Sequence, residues 1–222
     1  MFDVAEALAL MQYGDSAFPA GGFAFSWGVE GLAADGLLAG GGELDGLVVD
    51  HLQHRWSPMD RPLLVAAWRA PDAAALRVVD LDIEALTPVA EMREGSLRAG
   101  RALIGVAARR GGALARAYRE AFADPRLGHL PVAQAVAYRD AGLSLKSAEI
   151  VSGWTLVNGL VSAATRLGLV GHAEAQGLLA SGRRALAEIL AEPCASEPSC
   201  FTPLSDIAVA RSGARASRLF TT

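Results

Sequence analysis

The 222-residue chain is 52% hydrophobic but only 6% aromatic, so Ala, Leu and Val must supply a sizeable core, and Ala and Leu favour helix. A formal net charge of −4 is too mild to imply a nucleic-acid or anionic-membrane partner. Lys146 is the single lysine, which excludes lysine-dependent mechanisms elsewhere in the chain. Cys194 and Cys200, without a clustered His, make neither a zinc site nor a disulfide scaffold. With no positively charged segment ahead of the first apolar residues, they point to a reducing, cytoplasmic setting.

In chain order, residues 3–13 predict a short amphipathic helix with Val4, Leu8 and Met11 on one face. Asp15 to Glu30 (DSAFPAGGFAFSWGVE) follows as a break, a hinge and an aromatic helix start. Pro19 fixes its own φ, and Gly21 and Gly22 permit backbone that a side chain forbids. The helix after them is predicted to run to about Leu38, with Phe23, Trp27 and Glu30 on one face. Gly40 to Gly42 interrupts the chain. Leu44, Leu47, Val48, Leu52 and Trp56 then recur at helical spacing until Pro58 is expected to stop the helix.

Further helices are predicted from Pro62 to about Ala70, and from Pro71 to about Leu86. Thr87-Pro88 reads as a capped start for a long helix ending at Gly111-Gly112. Shorter ones cover about 113–122 and 131–141, with a loop from Asp124 to Pro131 between them. Ser144 to about Leu167 is the central buried helix; its uncharged core, 150–165, is shorter than the roughly 20 residues of a membrane span. A last helix covers His172 to about Ala191. No segment alternates with period 2, so no sheet is expected. The prediction is an all-α single compact bundle of roughly eight to ten helices, residues 1–192, with an extended C-terminal tail, residues 193–222.

No phosphate loop is present, and no carboxylate pair stands at catalytic spacing. His51 and His54, three apart with Asp50 adjacent, are able to share a helix face but lack a third converging ligand. His129 and His172 are isolated. No metal site, cofactor or catalytic residue is assigned, and the chain does not read as an enzyme. The tail, from Phe201-Thr202-Pro203-Leu204 to Ser217-Arg218-Leu219-Phe220, presents apolar groups and Arg without a helix of its own, as a segment that docks in a partner's groove would.

Both ends carry a resemblance. DSAFPAGGFAFSWGVE resembles the SPxLPxGGFSYSxGLE signature of the urease accessory protein F family (UreF), and CFTPLSDIAVARSGARASRLF resembles that family's SSxPLxDIAxMRHETQYSRLF ending. Between them, MREGSLRAGRALIGVA is similar to its RxxSxxxGRxLL helix, and ATRLGLVGHAEAQGLL more loosely to its AxRLxPLGQxxGQxLL turn. The resemblance implies an all-α, non-catalytic, dimeric protein that binds urease accessory protein D (also called H). That pair would recruit the nickel-carrying GTPase, accessory protein G, onto apo-urease and regulate its GTP hydrolysis.

The matching residues are Pro19, Gly21, Gly22, Phe23, Ser26, Gly28 and Glu30 in the first motif. In the tail they are Pro203, Leu204, Asp206, Ile207, Ala208, Arg211, Ser217, Arg218, Leu219 and Phe220. The tail is expected to order on the D-type partner, and the first motif to shape a GTPase-facing surface. Arg166, beside the glycine turn, is a candidate for acting on the GTPase. The sequence departs from the family at Ser212 to Ala216, which replace the HETQY block, and at Gly168 and His172. Two other readings stand beside this one: a helical small-molecule-binding protein or enzyme with a pocket near Trp154 and Asn158, and a nickel carrier using His51, His54 and the tail cysteines, for which the ligand supply is thin.

Overall fold

The computed structural model describes residues 3–19 and 26–211, and among these every regular element is helical. The elements are α1 (Val4–Gly14), α2 (Val29–Ala34), α3 (Gly41–His51), a π-helical segment (Leu52–Asp60), α4 (Arg61–Arg69) and α5 (Ala73–Leu86). After them come α6 (Ala90–Arg109), α7 (Ala113–Arg119), α8 (Leu130–Asp140), α9 (Leu145–Arg166), α10 (His172–Ala191) and α11 (Pro203–Ala210). Asp3, Asp72 and Ser144 cap α1, α5 and α9 by accepting amide N–H groups of the first turn.

α9 is the spine, buried along most of its length. Its first half, with Ala148 and Val151, joins a core built by α4 to α8 around Leu64, Ile104, Val132 and Val136. Its second half, from Leu156 to Ala164, joins a second core with α2, α3, α10 and α11 around Leu44, Val48, Leu52 and Trp56. Where the two meet, Trp56 donates to Ser152 at 3.0 Å, and Ser152 donates to the Gln134 amide oxygen at 2.8 Å. This chain satisfies buried polar groups from three elements at once.

Four expectations change. The aromatic helix does not run through Trp27: Trp27 has φ +53°, Gly28 has φ +89°, and α2 begins only at Val29. Pro58 does not stop its helix: the turn widens into the π segment and continues into α4. α6 starts at Ala90, two residues after Pro88, and Thr87 is buried with its hydroxyl unpartnered. The tail, expected to lack a helix, forms α11, which packs on α2 and α6. In addition, the α1 stripe of Val4, Leu8 and Met11 faces outward, at 63%, 61% and 71% exposure.

His51 is fully buried, with Nδ1 at 3.0 Å from the Leu47 carbonyl, and burial pushes its imidazole from 6.5 down to about 4. A group depressed in this way stabilises the fold above its unfolded pKa and loses that contribution as pH falls toward the folded value. Asp80 works in the opposite sense, its carboxyl raised to about 6 by burial. Comparison with a variant therefore isolates the histidine. Between pH 6.5 and 4, His51→Asn is expected to lose less thermal stability than the wild type. Parallel melting curves across that range would reject this assignment.

Candidate functional site

The π segment is the foundation of the site. In an α-helix, the His54 carbonyl would accept from the N–H of residue 58, which proline lacks. Here it accepts the Phe201 N–H at 2.9 Å, and the Pro58 carbonyl accepts the Ser199 N–H at 2.8 Å. Residues 199–202 are thus strapped across the π segment. Thr202-Pro203 then opens α11, since proline at the first position gives up no helical hydrogen bond.

Arg55 lies at the centre. Its side chain is 4% exposed; Nε stands 3.7 Å from the Asp60 carboxylate, and Nη1 donates to Cys200 Sγ at 3.7 Å. Its guanidinium carbon lies 5.1 Å from the centroid of the Trp27 ring, a cation–π contact. Burial raises the Asp60 carboxyl and the Cys200 thiol above their ordinary values, so Cys200 is a packed thiol rather than a reactive one. One buried cation therefore touches the N-terminal turn, the π segment and the strap.

Gly28 completes the junction. Its left-handed backbone suits glycine, and a Cβ there would stand 3.2 Å from the Ser205 backbone in α11. Ser205, Ala208 and Val209 face inward, while Phe201, Leu204 and Ile207 stay 75%, 62% and 49% exposed. Pro203 and Arg211 are also exposed, and Asp206 is half-buried, its Oδ1 accepting from the Thr202 hydroxyl at 3.4 Å. The turn at Gly28 and α11 are brought together, leaving an apolar stripe on the outside.

The first-motif residues divide. Ser26 is buried, Glu30 is half-buried on α2, and Pro19 is exposed. Gly21, Gly22 and Phe23, together with Ser217, Arg218, Leu219 and Phe220, lie outside the described residues. His51 and His54 do not share a face, one being buried and the other exposed. Among the described residues, no group of three or more His, Cys, Asp or Glu could hold a metal, and no helix is long and apolar enough to cross a membrane.

A cavity of about 670 Å³ lies beside α9, where the sequence suggests a pocket near Asn158. Ser152, Thr155, Asn158, Ser162 and Thr165 all line it. Their spacing of three or four places a polar row along one face of the helix, about 20 Å long at 1.5 Å per residue. That row was the available signal. Asn158 belongs to the cavity, whereas Trp154 packs near Gly14; Arg166 and His172 also line it.

The family model for UreF matches residues 39–182, which is more than half of the chain. The chain belongs to the UreF family. Relatives include the urease accessory protein UreF of Trichodesmium erythraeum, 31% identical over 193 residues that cover 80% of this chain and 78% of that protein. That of Agrobacterium fabrum is 30% identical over 223 residues, covering 98% and 96%. That of Rhizobium etli is 28% identical over 219 residues, covering 96% and 95%. The UreF model reaches from the start of α3 into α10, so Arg55 and the polar row of α9 lie inside it, and Gly28 and α11 outside.

Four positions of the mid-chain motif that resembles UreF have a structural use. Arg93 donates to the carbonyls of Thr87 and Pro88, Ser96 Oγ accepts the Leu130 N–H, and Arg101 donates to the carbonyls of Asp124, Pro125 and Leu127. Gly100, between them, lets α6 approach the turn at Gly128. The motif holds the loop before α8.

Proposed function

We propose that this chain is a non-catalytic accessory protein of urease maturation. It binds the D/H-type accessory protein through the outer face of α11 and, with it, recruits the G-type GTPase during nickel insertion into apo-urease. The reading is supported by membership of the UreF family and by the names of its relatives. The observation that carries the interface is the joining of both family signatures at Gly28 and Ser205 beneath the exposed stripe of Phe201, Leu204 and Ile207. An apolar stripe on a short, well-seated helix suits a groove in a partner, and Arg211 at its end adds a polar contact. Arg211 leads on to Ser217, Arg218, Leu219 and Phe220, which extend the same contact in this proposal.

Regulation follows from binding one conformation of the GTPase better than another, which shifts its population without any chemistry by the adaptor. Arg166 is the residue proposed to face the GTPase. Pro19 and Glu30 belong to the supporting surface, and the buried Ser26 and Gly28 hold it from beneath. The protein is proposed to work as a homodimer in the cytoplasm.

The test is light scattering after gel filtration with the D/H-type protein, comparing the wild type with Leu204→Glu/Ile207→Glu. Both positions are exposed, so the double variant should keep its fold while losing the complex by about tenfold or more in affinity. Equal complex formation would remove α11 from the interface, and no complex with the wild type would overturn the adaptor reading. GTP turnover by the recruited GTPase, unchanged by Arg166→Ala, would remove that residue's role.

A further inference from the structure

We propose that the corner between α6 and α7 is a second docking surface, one that takes an acidic segment of a protein partner. The corner is rigid. α6 closes with Gly111 N–H bonded to the Ala108 carbonyl at 3.2 Å and Gly112 N–H to the Ala107 carbonyl at 3.0 Å. α7 starts with the Leu114 and Ala115 N–H groups donating to the Asp140 carboxylate at 3.1 and 2.7 Å. Ala115 and Tyr118, three apart and fully buried, fix its inner face, and the Tyr118 hydroxyl donates to the buried Asp80 carboxylate.

That anchoring turns Arg116 and Arg119, also three apart, to the outside. With Arg109 at the end of α6, they line a single surface hollow of about 430 Å³, together with Ala108 and Glu120. All three arginines are exposed, and none of their side chains makes an ion pair or hydrogen bond to another described residue. Some other arginines are neutralised, Arg61 against Glu149, Arg77 and Arg126 against Asp124, and Arg93 against Glu84, while Arg69 and Arg98 are exposed as these three are; what distinguishes the trio is the hollow that its members share. Cations in a last helical turn favour that terminus, but one per terminus suffices and does not require three around one hollow.

Three guanidinium groups against the single carboxylate of Glu120 leave the hollow net positive, a local field that attracts an anionic segment. Carboxylates match guanidinium groups in geometry as well as charge, and a rigid frame spares the ordering cost of binding. The hollow is too small, and the rest of the chain too acidic, for the long basic track that nucleic acid uses. The geometry therefore fits two or three acidic side chains on one loop or terminus of a partner.

The test uses the full chain alone and a fluorescein-labelled octaglutamate peptide, followed by anisotropy at about 20 mM salt, where surface charges are weakly screened. The wild type should bind, and Arg109→Glu/Arg116→Glu/Arg119→Glu should weaken binding by about tenfold or more. Circular dichroism melting of the variant should match the wild type, because all three side chains are exposed. Wild-type chain that fails to bind, or a triple variant that binds equally well, would overturn the proposal. So would a short oligothymidine that binds this corner more tightly than octaglutamate, since that would make it a phosphate surface. The D/H-type protein is absent from this assay, so its result is independent of the α11 interface.

Discussion

Replacing Arg61 with alanine is expected to lower the free energy of unfolding by about 3–5 kcal/mol. Arg61 and Glu149 pair at 2.7 Å with side chains 5% and 9% exposed, so their charges are held away from water. The same guanidinium donates to the Ile189 carbonyl at 3.2 Å and the Glu192 carbonyl at 3.1 Å, closing the end of α10. Truncation leaves the Glu149 carboxylate buried without its counter-charge and strips two terminal carbonyls of a donor. Removing both charges is a different experiment. Arg61→Met/Glu149→Leu refills the space with apolar groups and should return to within about 1 kcal/mol of the wild type. Urea unfolding followed by tryptophan fluorescence measures both, and a single-variant loss below about 1 kcal/mol would show that the pair contributes little.

Gly100→Ala should be nearly as damaging, on the order of 3 kcal/mol, although it adds a single methyl group. A Cβ at this position would collide with the Gly128 carbonyl oxygen and stand 2.8 Å from the His129 carbonyl carbon. Backbone cannot rotate aside as a side chain can, so α6 or the turn must move. That turn is tied on every side: Asp80 accepts the Gly128 and His129 N–H groups at 2.9 Å each, and Ser96 accepts the Leu130 N–H at 3.0 Å. Helix propensity predicts the opposite sign, since alanine is ordinarily preferred over glycine inside a helix by about 1 kcal/mol. The same urea experiment decides between them: a stabilised Gly100→Ala would show that the turn yields.

The long helices were legible because their apolar spacing and stop signals agree. α9 and α10 start and end within a residue or so of where Ser144, Leu167, His172 and Ala191 suggest. The site was legible only as likeness to family motifs, because its parts lie far apart in sequence. Nothing local to Trp27 signals a left-handed backbone, which the packing of its ring on Arg55 accompanies. Pro58 was read as a terminator because the N–H that bonds the His54 carbonyl comes from Phe201, which no local window includes. α11 had a signal that was passed over. Thr202-Pro203 repeats the Thr87-Pro88 pattern, and it is the later copy that begins a helix directly, while the earlier one leads into it two residues further on. The arginine hollow was illegible for a similar reason, since Arg109 and Arg119 line it from two sides of a corner that the buried Tyr118 and the exposed Asp140 hold.

The strap of residues 199–202 also fixes when the molecule can be finished. Its partners at His54 and Pro58 leave the ribosome long before Ser199 and Phe201 are made, so during synthesis those carbonyls must wait for a donor from much later in the chain. Closing so long a loop is slow relative to forming α9 or α10, whose contacts are local. The face that joins Gly28 to Ser205 thus cannot exist before the chain has been made through Ser205. A partner that read this face would engage only chains already made through α11.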